Sequence, residues 1–110
     1  MPLNKGQLYY SSVGIIDVEE FYTEDGVDKV RIRLHHTKPE DGVTPVGSSV
    51  LMSTTQAVLE DWIDQFPKDL AERKKVAEAR RAKYPEQSAR VLVALDKAKR
   101  IGKPDRKELK

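Results

Sequence analysis

A chain of 110 residues is long enough for one domain with a single core. An apolar content of 38% beside a charged content of 35% describes a thin core under a heavily charged surface. The chain has no cysteine, which excludes a disulfide framework and thiolate metal sites, and it has no apolar run near the roughly 18 residues of a membrane span. A cytoplasmic protein with no membrane segment is expected. The small net charge of +2 conceals a division along the chain. Met1 to Pro67 carries 5 Lys/Arg against 11 Asp/Glu, and Lys68 to Lys110 carries 15 against 7. Such asymmetry points either to a partner of complementary charge or to two halves that neutralise each other.

Leu8 to Tyr22 is rich in β-branched and aromatic residues and predicts a strand, with Gly14 as a bend or bulge. Asp25-Gly26 is a hairpin signal, because both residues tolerate positive φ. Beyond it Val30, Ile32, Leu34 and His36 alternate with Arg31, Arg33, His35 and Thr37, the pattern of a half-buried strand. Lys38 to Pro45 is a loop broken by Pro39, Gly42 and Pro45. Val46 to Met52 predicts a third strand, with Val46, Val50 and Met52 on one side.

The pattern then turns helical. Ser53 and Gln56 have capping-box spacing, and Val58, Leu59, Trp62, Ile63 and Phe66 form one apolar arc opposite Glu60, Asp61 and Asp64. That arc predicts a helix over about 54–66, packed on the sheet. Pro67 starts a second helix, over about 68–84. Its Ala71, Val76, Ala79 and Ala82 form a small-residue side suited to close packing. Tyr84-Pro85 is a break, and a third helix over about 86–101 carries Val91, Leu92, Ala94, Leu95, Ala98 and Ile101 before Gly102 ends it. Residues 103–110 predict a frayed basic tail. The expected fold is therefore α+β. A three-stranded antiparallel meander (about 7–52) is followed by three helices in one domain, 1–102, with the third helix in the same core or in a homodimer interface.

No catalytic, cofactor or metal motif emerges. His35 and His36 are adjacent on a strand and face opposite ways, so they cannot chelate one ion in regular geometry. His36 falls on the apolar face and His35 on the polar one. The serines lack a nucleophile-elbow context, and the six glycines are scattered singly rather than forming a phosphate loop. A non-enzymatic role without cofactor is expected.

What remains is the basic helical half. Arg73, Lys74, Arg80 and Arg81 line one side of the second helix with Leu70, Ala77 and Tyr84 among them; Lys83 joins them as a phosphate contact, and Lys97, Arg100, Lys103, Arg106 and Lys107 add charge from the third helix and the tail. Arg31 and Arg33 are a secondary candidate surface on the sheet. Cations interleaved with an aromatic suit phosphate contact and base stacking. The leading expectation is a small DNA- or RNA-binding accessory or regulatory protein. The rival is a protein-interaction module, an inhibitor or adaptor of phage or plasmid type, that meets an acidic protein surface. Against both stands self-compensation through Asp69–Arg73, Glu72–Lys75 and Glu78–Arg81, or pairing with the acidic face of the first helix.

Overall fold

The β-rich stretch Leu8 to Tyr22 folds as two strands rather than one. In the computed structural model, which describes residues 3–109, β1 (Leu8–Ser11) and β2 (Gly14–Glu24) are joined by a tight turn at Ser12-Val13. The Ser11 hydroxyl donates to the Gly14 carbonyl at 2.7 Å and accepts from the Val13 N–H at 3.2 Å, tying the turn. Gly14 has φ 141°, and a Cβ there would lie 2.7 Å from the His35 carbonyl oxygen of the next strand. Only glycine lets the two backbones come this close.

β3 (Val27–Thr37) follows the Asp25-Gly26 turn, where both residues have positive φ (52° and 76°), as a type I′ hairpin requires. β4 (Pro45–Thr55) completes a sheet of order β1-β2-β3-β4, with every neighbouring pair antiparallel. The α+β architecture with an antiparallel meander is as expected, but the sheet has four strands instead of three. Gly14 makes a hairpin of its own where a bend was expected.

The irregularity in β2 lies further along. Val18 pairs with Ile32 and Glu20 with Arg31, leaving Glu19 as an extra residue. This bulge shifts the alternation by one, so that Val18 and Phe21 both reach the same face. On that face Tyr9, Ile16, Val18, Val30 and Ile32 pack against Leu59 and Ile63 of α1 (Gln56–Asp64), with Trp62 and Met52 at the margin. Trp62 is thus half-buried against this core. The opposite face carries Leu8, Tyr10 and Ile15. They pack with Val43 of the β3–β4 loop against Ala77 of α2 (Phe66–Ala79) and Val91, Leu95 and Ala98 of α3 (Pro85–Ile101). The four-residue β1 therefore lies between two layers, and all of it is buried. Residues as bulky as Ile15 and Ile16 can sit side by side only because each face has its own cover.

The helices depart from expectation in their bounds. The cap of α1 is Thr55, whose Oγ1 accepts from the Val58 N–H at 3.1 Å, rather than a Ser53–Gln56 box. β4 keeps pairing with β3 as far as Thr55, so Ser53 is still strand. α1 and α2 abut through Gln65, whose backbone stays right-handed helical, and Pro67 sits in the first turn of α2. The break carries Phe66 over to the other core, where its ring stacks on Tyr10 with centroids 5.0 Å apart. α2 stops at Ala79 instead of continuing to 84, because residues 80–84 form the turn that brings α3 back along it. The expected small-residue side of α2 is exposed at Ala71, Val76, Ala79 and Ala82. Leu70, Arg73 and Ala77 face inward. In α3 the apolar arc holds except at Ile101, which is exposed, and Gly102 ends the helix.

The tail is not frayed where it is described. Pro104 is buried, Arg106–Glu108 forms a 3-10 turn, and Leu109 packs on the α2–α3 core. Arg106 reaches Asp17 at 2.9 Å and the Gly6 carbonyl at 2.9 Å, strapping the C-terminal segment to the β1–β2 end of the sheet. Met1 and Pro2, counted with the expected domain, and Lys110, counted with the tail, lie outside the described residues. The molecule is elongated, 52 × 26 × 21 Å with a radius of gyration of 15.0 Å, against about 13 Å for a compact chain of this length.

Candidate nucleic-acid interface

Because α1 and the α2–α3 hairpin cover opposite faces of the sheet, the charge division of the sequence becomes a division in space. Glu60, Asp61 and Asp64 are exposed on α1, away from the basic hairpin. Among the described residues there are five ion pairs, and one of them joins the two halves, Arg106–Asp17. Three lie within the sheet, Lys29–Glu24, Arg31–Glu20 and Arg33–Glu19, and the fifth is Lys97–Glu108. The helical pairs anticipated at Asp69–Arg73, Glu72–Lys75 and Glu78–Arg81 are not among them. Neutralisation by the acidic half, or along α2 itself, therefore leaves most of the hairpin's cations without an ionic partner.

The expected site residues separate into groups. Lys74 and Glu78 lie on one side of α2, and Arg81 follows on that side in the turn beyond it. There they share the rim of a groove of about 1040 Å³ between α2 and α3 with Lys75 and Lys99. Phe66, Leu70, Leu92 and Leu95 line its floor, and Glu78 and Asp96 are the acidic residues on its margin. Lys75 and Lys99 were missed as site residues. Lys75 was assigned to a pair with Glu72 that does not form, and nothing in sequence spacing showed that α3 would bring Lys99 alongside.

Arg80, Lys83 and Tyr84 lie at the hairpin tip, in the five-residue turn. The Lys83 ammonium sits 5.5 Å from the centroid of the Tyr84 ring, and Tyr84 is 45% exposed. A stacked base would have to share this ring with Lys83. Arg100 is exposed on the last turn of α3.

Arg73 and Lys97 are committed elsewhere. The Arg73 guanidinium donates to the Pro39 carbonyl at 2.8 Å and lies against Gly42, locking the β3–β4 loop onto α2. Gln87 adds a bond to Glu40 at 3.0 Å. Arg31 and Arg33, the secondary candidates, are each held by a neighbouring glutamate on β2. Exposed pairs of this kind contribute about 0–1 kcal/mol, but they offset the charge of both arginines.

The histidines differ from expectation in burial. His36 is exposed and bonds to the Ser48 hydroxyl at 3.0 Å. His35 is half-buried on the other face, beside Asp17 and Arg106, with its Nε2 enclosed and without a hydrogen-bond partner. Burial pushes its pKa below the usual imidazole value, and Arg33 and Arg106 act in the same direction against Asp17 and Glu19. Tyr10 is pushed up to about 12, first by burial and then by Glu108 and Asp41. Among the described residues no cluster of three His, Asp or Glu side chains could hold a metal ion, and no helix is long and apolar enough to cross a membrane. No protein-family model matches the chain, and no curated protein or solved structure is significantly similar to it.

Proposed function

We propose that the protein is a non-enzymatic nucleic-acid-binding accessory protein that contacts the phosphate backbone through the α2–α3 hairpin. The observation that carries this reading is the single ion pair between the acidic and basic halves, which leaves Lys74, Arg80, Arg81, Lys83 and Arg100 unpaired among the described residues. Cations on helices and a short turn add no backbone ordering cost on meeting phosphates, and each phosphate neutralised releases a condensed counterion. Backbone contact carries no sequence information, so weak discrimination between sequences is expected. The test is fluorescence anisotropy with a labelled duplex and a labelled single strand as salt is raised. Binding at low salt that falls steeply with salt supports the proposal. No binding at low salt, or an affinity indifferent to salt, overturns it.

A second reading has its own support, the apolar floor of the groove between α2 and α3. Phosphates gain nothing from Leu92 or Phe66, whereas an acidic amphipathic helix could place apolar side chains on the floor and carboxylates against Lys74, Lys75, Arg81 and Lys99. Leu92→Asp separates the two. It removes peptide binding if the groove is the functional surface, and it changes nucleic-acid affinity little if the cations are.

A further inference from the structure

The two edges of the sheet are treated differently. At the β1 edge the Ser12 N–H is bonded to the Trp62 carbonyl at 2.9 Å, the strand is fully buried, and Arg106 crosses to Gly6. At the other edge, β4 has β3 on one side and, among the described residues, no strand on the other. Six consecutive residues, Val46 to Leu51, are exposed, among them Val46 and Leu51, each at 50%, and Val50 at 44%. Natural sheets blunt such an edge with charge, proline, a bulge or a covering element. Here Pro45 and Gly47 interrupt only the entry to the strand. Ser49 to Thr55 stays in regular register with β3, and not one residue from Pro45 to Thr55 is charged.

We propose that the free edge of β4 pairs antiparallel with β4 of a second copy of this chain, joining two four-stranded sheets into one about a two-fold axis. Antiparallel pairing is the arrangement in which a strand complements itself, since each residue meets its counterpart through the same symmetry operation. With Ser49 to Thr55 paired about Met52, Ser49 meets Thr55, Val50 meets Thr54 and Leu51 meets Ser53, so no like charges are placed opposite one another to repel. Most of the remaining surface would bring like charges together in a symmetric contact, acid on acid at α1 and base on base at the hairpin. The nearest cations, Lys29, Arg31 and Arg33, stand one strand back and are each paired with a glutamate. Seven paired residues extend about 24 Å. A contact of that length falls below the roughly 1,200 Å² of a standard interface, so the dimer is weak and concentration-dependent.

Sedimentation equilibrium tests the proposal. Over about 10 μM to 1 mM, a span covering weak association, the average mass should climb from 12.5 kDa towards twice that value. The Val50→Lys/Leu51→Lys variant should stay at the monomer mass throughout with an unchanged far-ultraviolet circular dichroism spectrum. If that variant does not fold, single cysteines placed in this cysteine-free chain decide. Met52→Cys, at the residue on the axis of a Ser49–Thr55 pairing, should cross-link on oxidation at least about tenfold faster than Val93→Cys, a control at an α3 position that is 69% exposed. A native protein that remains monomeric at about 1 mM, a folded edge variant that still dimerises, or equal cross-linking at the two positions overturns the proposal.

Discussion

Replacing Arg80, Arg81 and Lys83 together by glutamine removes three of the unpaired cations assigned to phosphate contact while leaving both cores untouched. All three side chains are exposed in the turn region between α2 and α3, and the turn is held by backbone bonds from Lys83 and Tyr84 to the Arg80 carbonyl. If Lys74, Arg80, Arg81, Lys83 and Arg100 each neutralise one phosphate, the slope of log K against log salt is about −4.5. Native affinity then falls about 500-fold between about 50 and 200 mM salt. With two contacts left the slope is about −1.8 and the same change in salt costs about 12-fold. Anisotropy titrations of a labelled duplex at four or five salt concentrations read both slopes directly. Thermal unfolding of the variant should match the native protein to within about 0.5 kcal/mol, as for other surface changes away from structural features. A variant that keeps the native slope would refute the assignment of these cations to the interface, whatever its absolute affinity.

Gly14→Ala should destabilise by about 2–4 kcal/mol in urea unfolding, because strain at φ 141° is joined by contact with the His35 carbonyl, a backbone atom that cannot swing aside. Ile16→Ala, at a side chain with 0% exposure in the α1 core, should cost about 2–5 kcal/mol in the same assay. A loss below about 1 kcal/mol would mean that this core is loosely packed. His35 has its pKa lowered in the folded protein from 6.5, so as pH falls below that value the unfolded chain takes up a proton that the folded one resists. Stability should therefore decline as pH falls below 6.5, and His35→Leu should weaken this dependence, read as the difference in melting temperature from the native protein. Arg106→Ala should raise hydrogen exchange in residues 103–109 while barely moving the melting temperature, since the lost pair with Asp17 is largely exposed on the arginine side.

Local chemistry made much of the fold legible. The Asp25-Gly26 turn, the alternation from Val30 to Leu34, the Leu59–Ile63 face of α1 and the Gly102 stop each depend on residues within a turn or two of one another. The failures share a different cause. Gly14 read as a bend because nothing local shows that β1 must fold back to bury Leu8 and Tyr10 on one face and Tyr9 on the other. The bulge at Glu19 was hidden because it matters only through the partners Ile32 and Arg31 on β3. On α2 the small-residue side read as the buried one, yet Leu70, Arg73 and Ala77 face inward, since the β3–β4 loop needed Arg73 and the core needed Ala77.

The candidate surface divides in the same way. Sequence supplied the cations and their crowding beyond Lys68. It could not say that Arg73 and Lys97 would be engaged by Pro39 and Glu108, nor that Lys75 and Lys99 would meet across a groove.

Composition and short-range periodicity were enough for the α+β class, the antiparallel meander and the division of charge between two halves. What that division means depends on how the elements pack. Neighbouring residues of a strand face opposite ways, so a sheet covered on both sides sends acidic α1 to one face and the basic hairpin to the other. Packing at a distance, which no local pattern encodes, keeps the two charges apart.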